Sequence, residues 1–142
     1  MDKEPIIGIR IVAICGMMLF LMCCVSISPF KFNKDRDNAI NATNDFHNLF
    51  NHHRFEEIYG LTDKRARETK SKDSLISILS FLRDERGRVL NSELIDTDIQ
   101  TRPTYRELHL SFRTKYENTE KIERFVWYVS DNQARLFSFV SE

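Results

Sequence analysis

The residues whose types and spacing come nearest to chemistry lie in Arg106–Tyr116, RELHLSFRTKY. Polar and apolar residues alternate there, so the stretch reads as a strand with Leu108, Leu110, Phe112 and Tyr116 on one face. Glu107, His109, Ser111, Arg113 and Lys115 fall on the other. Histidine titrates near neutral pH, and a carboxylate beside it can orient the ring. If this polar face lines a concave surface, His109 serves as proton acceptor, with Glu107 and Arg113 completing a polar pocket. If it faces water, the same residues are a solvated surface.

The remaining histidines are His47, His52 and His53. His52 and His53 are adjacent, so on a helix they point about 100° apart and chelate poorly. Cations near a helix C-terminus are favourable without any ligand. No metal site is expected, and no cofactor either, because the sequence has no P-loop, glycine-rich turn, nucleophile elbow or HExxH motif. Aromatic residues are plentiful. Tyr59, Phe112, Trp127 and Phe137 are the candidates to line an apolar ligand cavity. Ordinary core packing is the competing use for the same rings.

All three cysteines, Cys15, Cys23 and Cys24, lie in one apolar stretch near the N-terminus. From Ile11 to Ile27 no residue is charged. Such a run is just long enough to span a bilayer, which needs about 17–25 residues. Three readings compete: an uncleaved anchor, a lipoprotein signal with Cys24 acylated, and a cleaved secretory signal. Length favours the anchor, since secretory apolar regions run about 7–15 residues. Leu21-Met22-Cys23-Cys24 fits the lipoprotein pattern crudely. Lys3 and Arg10 before the run are nearly matched by Lys31, Lys34 and Arg36 after it, so charge alone does not orient it. A short leader with an exported domain is the expected layout.

Composition sets further bounds. The chain has 142 residues, room for one domain and an N-terminal appendage. Its 21 Lys and Arg balance 21 Asp and Glu, which argues against sequence-independent nucleic-acid binding. The division expected is 1–28 as membrane segment, 29–38 as a polar tether, and 39–142 as the folded domain.

Within the domain the pattern is first helical. Ala39, Ala42, Phe46, Leu49 and Phe50 make an apolar stripe, with Asn38 as a candidate cap. A short helix follows around Phe55, Ile58, Tyr59 and Leu61, with Gly60 near its end. DKRARETKSK, residues 63–72, reads as a charged, solvated loop; a site for an anionic partner is the alternative. Ser71 then caps a helix carrying Leu75, Ile78, Leu79 and Leu82, which Gly87 closes. Four strands follow: 88–100 with a bulge, 106–116, 123–130 and 134–140. Asp131-Asn132 is a hairpin turn between the last two. Short turns impose antiparallel neighbours, so the fold class is α+β, with helices packed on a four-stranded meander. Phe125 and Trp127 share one face of their strand, Val126 and Tyr128 the other, so the sheet must curl or be covered twice.

The stretches AINATNDFHNLFNHHRFEEIYGL and SKDSLISILSFLRDERGRVLNSEL, with the strands after them, resemble the nuclear transport factor 2-like superfamily. The likeness rests on Ala42, Phe46, Phe55, Ile58 and Tyr59, the Ser71-led helix and the Arg86-Gly87 step. It implies a cone-shaped domain like that of small bacterial membrane-attached members. Some members are isomerases, dehydratases or cyclases that use an Asp or His inside the cone; others are noncatalytic scaffolds. No catalytic motif of the family transfers to residues of this chain. The expected function is therefore a noncatalytic binding or scaffold domain, tethered on the outer side of a bacterial inner membrane. Its partner would be a protein, a second copy or a small apolar ligand. The alternative is a ligand-processing enzyme using His109 and Glu107.

Overall fold

The computed structural model describes residues 29–142, with side chains from Phe32 onward. Residues 11–27 and Cys24, and the readings placed on them, lie outside the described residues. Four helices precede four strands: α1 (Pro29–Asn51), α2 (Phe55–Leu61), α3 (Lys64–Thr69), α4 (Lys72–Arg86), β1 (Val89–Thr101), β2 (Arg106–Tyr116), β3 (Glu120–Ser130) and β4 (Gln133–Ser141). The strands form one curved antiparallel sheet in the order β1-β2-β3-β4. Helix α1 lies across one of its faces and packs against all four strands.

Two local expectations change. Residues 29–38 are not an irregular tether: they are the first ten positions of α1. Proline is tolerated at a helix start, where its missing N–H would have no partner, and Pro29 opens α1 there. The charged segment 63–72 is likewise not a loop. Asp63 caps α3, its carboxylate accepting from the Arg65 backbone N–H.

The buried side of α1 is Asp35, Ala39, Thr43, Phe46, His47 and Phe50, a stripe at helical spacing. The Phe46 ring packs edge-on against Phe125, centroids 5.2 Å apart, and tilted against Phe139, centroids 4.9 Å apart. The helix closes with a Schellman turn: Arg54 N–H donates to Leu49 O and His53 N–H to Phe50 O. His53 takes the left-handed position, at φ 58°, that glycine usually fills. Asn51 then pairs with both backbone groups of Val89, tying the end of α1 to the start of β1.

Helix α4 runs between the caps its sequence specifies. The Ser71 hydroxyl accepts from Ser74 N–H, and Gly87 leaves the helix at φ 80°. A Cβ on Gly87 would meet Glu117 Cβ at 2.6 Å, so this position excludes side chains. The approach is close because the β2–β3 turn folds over the α4–β1 turn. Glu117 accepts from Arg88 N–H and Nε, and Asn118 reaches Arg86 O and Glu85 O.

Leu108, Leu110, Phe112 and Tyr116 of β2 face the helices, as their alternation requires, together with Thr114. Phe125 and Trp127 of β3 join them, fully enclosed. Strand β1 carries two register shifts, at Leu90 and Ile95, and both side chains are exposed. Asp131 and Asn132, both at positive φ, make the two-residue β3–β4 turn. On the outer face Tyr128 is covered rather than wet. Its ring stacks on Phe137 and, with Tyr105, holds the Arg65 guanidinium at 4.3–4.4 Å. The second covering that Tyr128 demands thus comes from α3.

Candidate functional site

Three polar side chains on the buried stripe of α1 each meet a partner on the sheet. Asp35 pairs with Arg106, whose guanidinium also lies over the Phe32 ring at 4.4 Å. Thr43 accepts from Trp127 Nε1 at 2.9 Å and donates to Ala39 O. His47 Nε2 reaches Glu123 Oε2 at 2.8 Å.

Glu123 is the centre of this seam. It sits on the inner face of β3 opposite Phe112 and is wholly enclosed. A bare carboxylate there would be strongly destabilising. Three donors converge on it instead: the Thr114 hydroxyl and His47 Nε2 on Oε2, and the Tyr116 hydroxyl on Oε1. Ser92 donates in turn to Thr114 at 2.9 Å. Burial works to raise the Glu123 pKa, but the hydrogen bonds from His47, Thr114 and Tyr116 and the His47 charge outweigh it. The carboxyl is held below its ordinary value. Burial, then the Glu123 charge, push the Tyr116 phenol well above its own. Arg86 extends the seam, lying 5.7 Å from the Tyr116 ring and donating to Ser141 Oγ.

A histidine–carboxylate pair with two hydroxyls is acid–base machinery in kind. Here it has no room for a reacting atom. His47 is 6% exposed and Glu123 and Thr114 not at all, and the Phe112 and Phe125 rings stand edge-on to the imidazole. The arrangement fixes the register of α1 on the sheet. Reading the sequence by its apolar stripe missed Asp35, Thr43 and Glu123 and left His47 beside the core. The available signal was their helical spacing: Asp35, Ala39, Thr43 and His47 recur every fourth residue.

The expected site residues divide. His109 and Glu107 do meet, with Nε2 2.9 Å from Oε1, on the sheet face opposite α1. Arg102 shares the Glu107 carboxylate at 3.3 Å. The His109 side chain is 40% exposed. Arg113 is not with them. Six residues along β2 from Glu107 and four from His109, roughly 13–20 Å away, it stands in water between Glu93 and Glu120. Phe112 and Trp127 are core, at 2% and 0% exposure. Tyr59 and Phe137 line a cleft of about 220 Å³ between α3, α4 and β4. The His52 ring bonds Asn48 O and the His53 ring packs on Phe55. Among the described residues no three His, Cys, Asp or Glu side chains are grouped to hold a metal ion.

Among the described residues no helix is long and apolar enough to cross a membrane. No family model, curated protein or solved structure matches the chain.

Proposed function

We propose that this is a membrane-tethered, noncatalytic binding domain of the bacterial cell envelope, held by residues 11–27 with the domain on the outer side. The observation that carries the reading is the uncharged run from Ile11 to Ile27, which ends just ahead of the residue that opens α1. The enclosed Glu123 seam supports the noncatalytic part, because the chain's buried histidine–carboxylate pair is used in packing. The partner is a protein, a second copy of the chain or a small apolar ligand. The nuclear transport factor 2-like likeness belongs to the same proposal, supported by the order of helices and antiparallel strands.

Intact mass of the protein extracted from its own host's membranes tests the tether. The full 142 residues, with or without the first Met, fit an anchor. A chain beginning at Cys24 and carrying acyl mass fits the lipoprotein form of the same reading. A soluble chain that has lost residues 1–26 or more, without acyl mass, overturns it.

A second reading, a ligand-processing enzyme, is favoured by one contact, His109 Nε2 to Glu107 Oε1 at 2.9 Å. It requires that His109→Ala and Glu107→Gln abolish a turnover that the stable parent chain performs. A turnover unchanged by both substitutions removes it.

A further inference from the structure

The cleft between α3, α4 and β4 has a floor and rim of opposite character. Leu75 and Leu136, 8% and 3% exposed, form its base, and Ile78 and Phe137, 42% and 39% exposed, stand at its mouth. Large apolar side chains left this open to water cost free energy unless something covers them. Arg67 and Lys70 lie on the rim, and none of the described lining residues is Asp or Glu. Arg67 is held in place: Nε donates to Thr62 Oγ1 and Nη2 to Gly60 O, both at 2.9 Å, and the guanidinium lies 5.0 Å from the Tyr59 ring. That leaves Nη1 for a ligand, with Lys70 lining the same cleft.

We propose that this cleft binds a short apolar carboxylate, its chain against Leu75, Ile78, Leu136 and Phe137 and its charge between Arg67 and Lys70. The sign of the charge follows from two cations facing no acid. The size follows from the volume: about 220 Å³ is below the roughly 300–1,000 Å³ of sites for drug-sized ligands. An extended peptide is disfavoured because the β4 backbone is already occupied here. Asp63 N–H donates to Leu136 O at 2.7 Å and Thr62 bridges to Leu136. The proposal rests on the binding-domain reading and not on the tether, so the mass measurement above can fail without touching it.

Hexanoate is a suitable probe, titrated against the full chain in nanodiscs of uncharged lipid. The readout is the methyl resonances of Leu75, Ile78 and Leu136, with hexylammonium and hexanol as comparisons. The expected result is saturable shifts in these methyls with hexanoate. Each comparison compound should bind roughly fivefold or more weakly, the scale of one solvent-accessible ion pair. Lys70→Glu should weaken hexanoate by a similar factor, while Lys64→Glu, outside the cleft, should leave it unchanged. No saturable shift at these methyls, equal binding of the three probes, or binding indifferent to Lys70→Glu would each overturn the proposal. Shifts confined to β1 or β2 would do the same.

Discussion

His47 Nε2 and Glu123 Oε2 stand 2.8 Å apart across the centre of the helix–sheet interface, joined from positions 76 residues apart. The contact is more than one ion pair. Glu123 collects three donors, and removing it leaves His47, Thr114 and Tyr116 without an acceptor in an enclosed site. Breaking a buried pair from one side costs about 3–5 kcal/mol. Glu123→Ala should therefore lower unfolding free energy by about that much in urea titration. A loss under about 1 kcal/mol would mean that the seam contributes little.

The same network sets limits in pH. Glu123 has a lower pKa folded than unfolded, so its contribution is complete above the unfolded value near 4.5. It is lost as pH falls through the folded value. Tyr116 is shifted upward, so its contribution holds below 10.0 and is lost as pH rises beyond that. Stability should plateau between these limits. Glu123→Gln should flatten part of the acid limb and Tyr116→Phe the alkaline limb, as measured by thermal unfolding across pH. Asp63 and Glu117 are also shifted downward and keep a residual acid slope in the first variant.

Backbone conformation offers two opposite substitutions. His53 occupies a left-handed position at φ 58°, where a side chain costs roughly 1–2 kcal/mol. His53→Gly should stabilise the chain by about 0.5–1 kcal/mol, less than the full cost because glycine also frees the unfolded chain. Gly87→Ala should destabilise by about 1–2 kcal/mol or more, since φ is 80° and the new Cβ meets Glu117 Cβ at 2.6 Å. Equal effects of the two changes in chemical denaturation would contradict this account of the two turns.

How much of this was legible in the sequence depends on how far each determinant reaches along the chain. Helix α4 was legible because its caps, Ser71 and Gly87, act within one turn. Strand β2 was legible from its alternation, and the β3–β4 turn from Asp131-Asn132. The start of α1 was not, because no apolar stripe marks residues 29–38; Asp35 is buried by Arg106, 71 residues away. Helix α3 was hidden for a related reason. It has no buried residue of its own, and Arg65 finds its place only between Tyr105 and Tyr128. Of the candidate site, the meeting of His109 with Glu107 followed from strand periodicity. Arg113 failed because one face of a strand is long, and sharing it does not bring its two ends together.

Trp127 provides an internal reporter for the seam. It is the only tryptophan, fully enclosed, with Nε1–H donating to Thr43 Oγ1. Thr43→Val keeps the shape but removes the acceptor, and an orphaned buried donor costs about 1–3 kcal/mol. The variant should unfold at lower urea with a changed tryptophan emission in the folded state. Unchanged stability and emission would show that the indole N–H does not depend on Thr43.

The central claim is that residues 11–27 hold a folded domain at the membrane's outer side. It is tested most directly by washing membranes of the native host with alkaline carbonate, alongside protease added to intact spheroplasts. The account predicts that the full-length chain stays in the membrane pellet and that external protease digests its domain. Release into the carbonate supernatant would contradict the tether, and a domain protected until the cells are lysed would contradict its orientation.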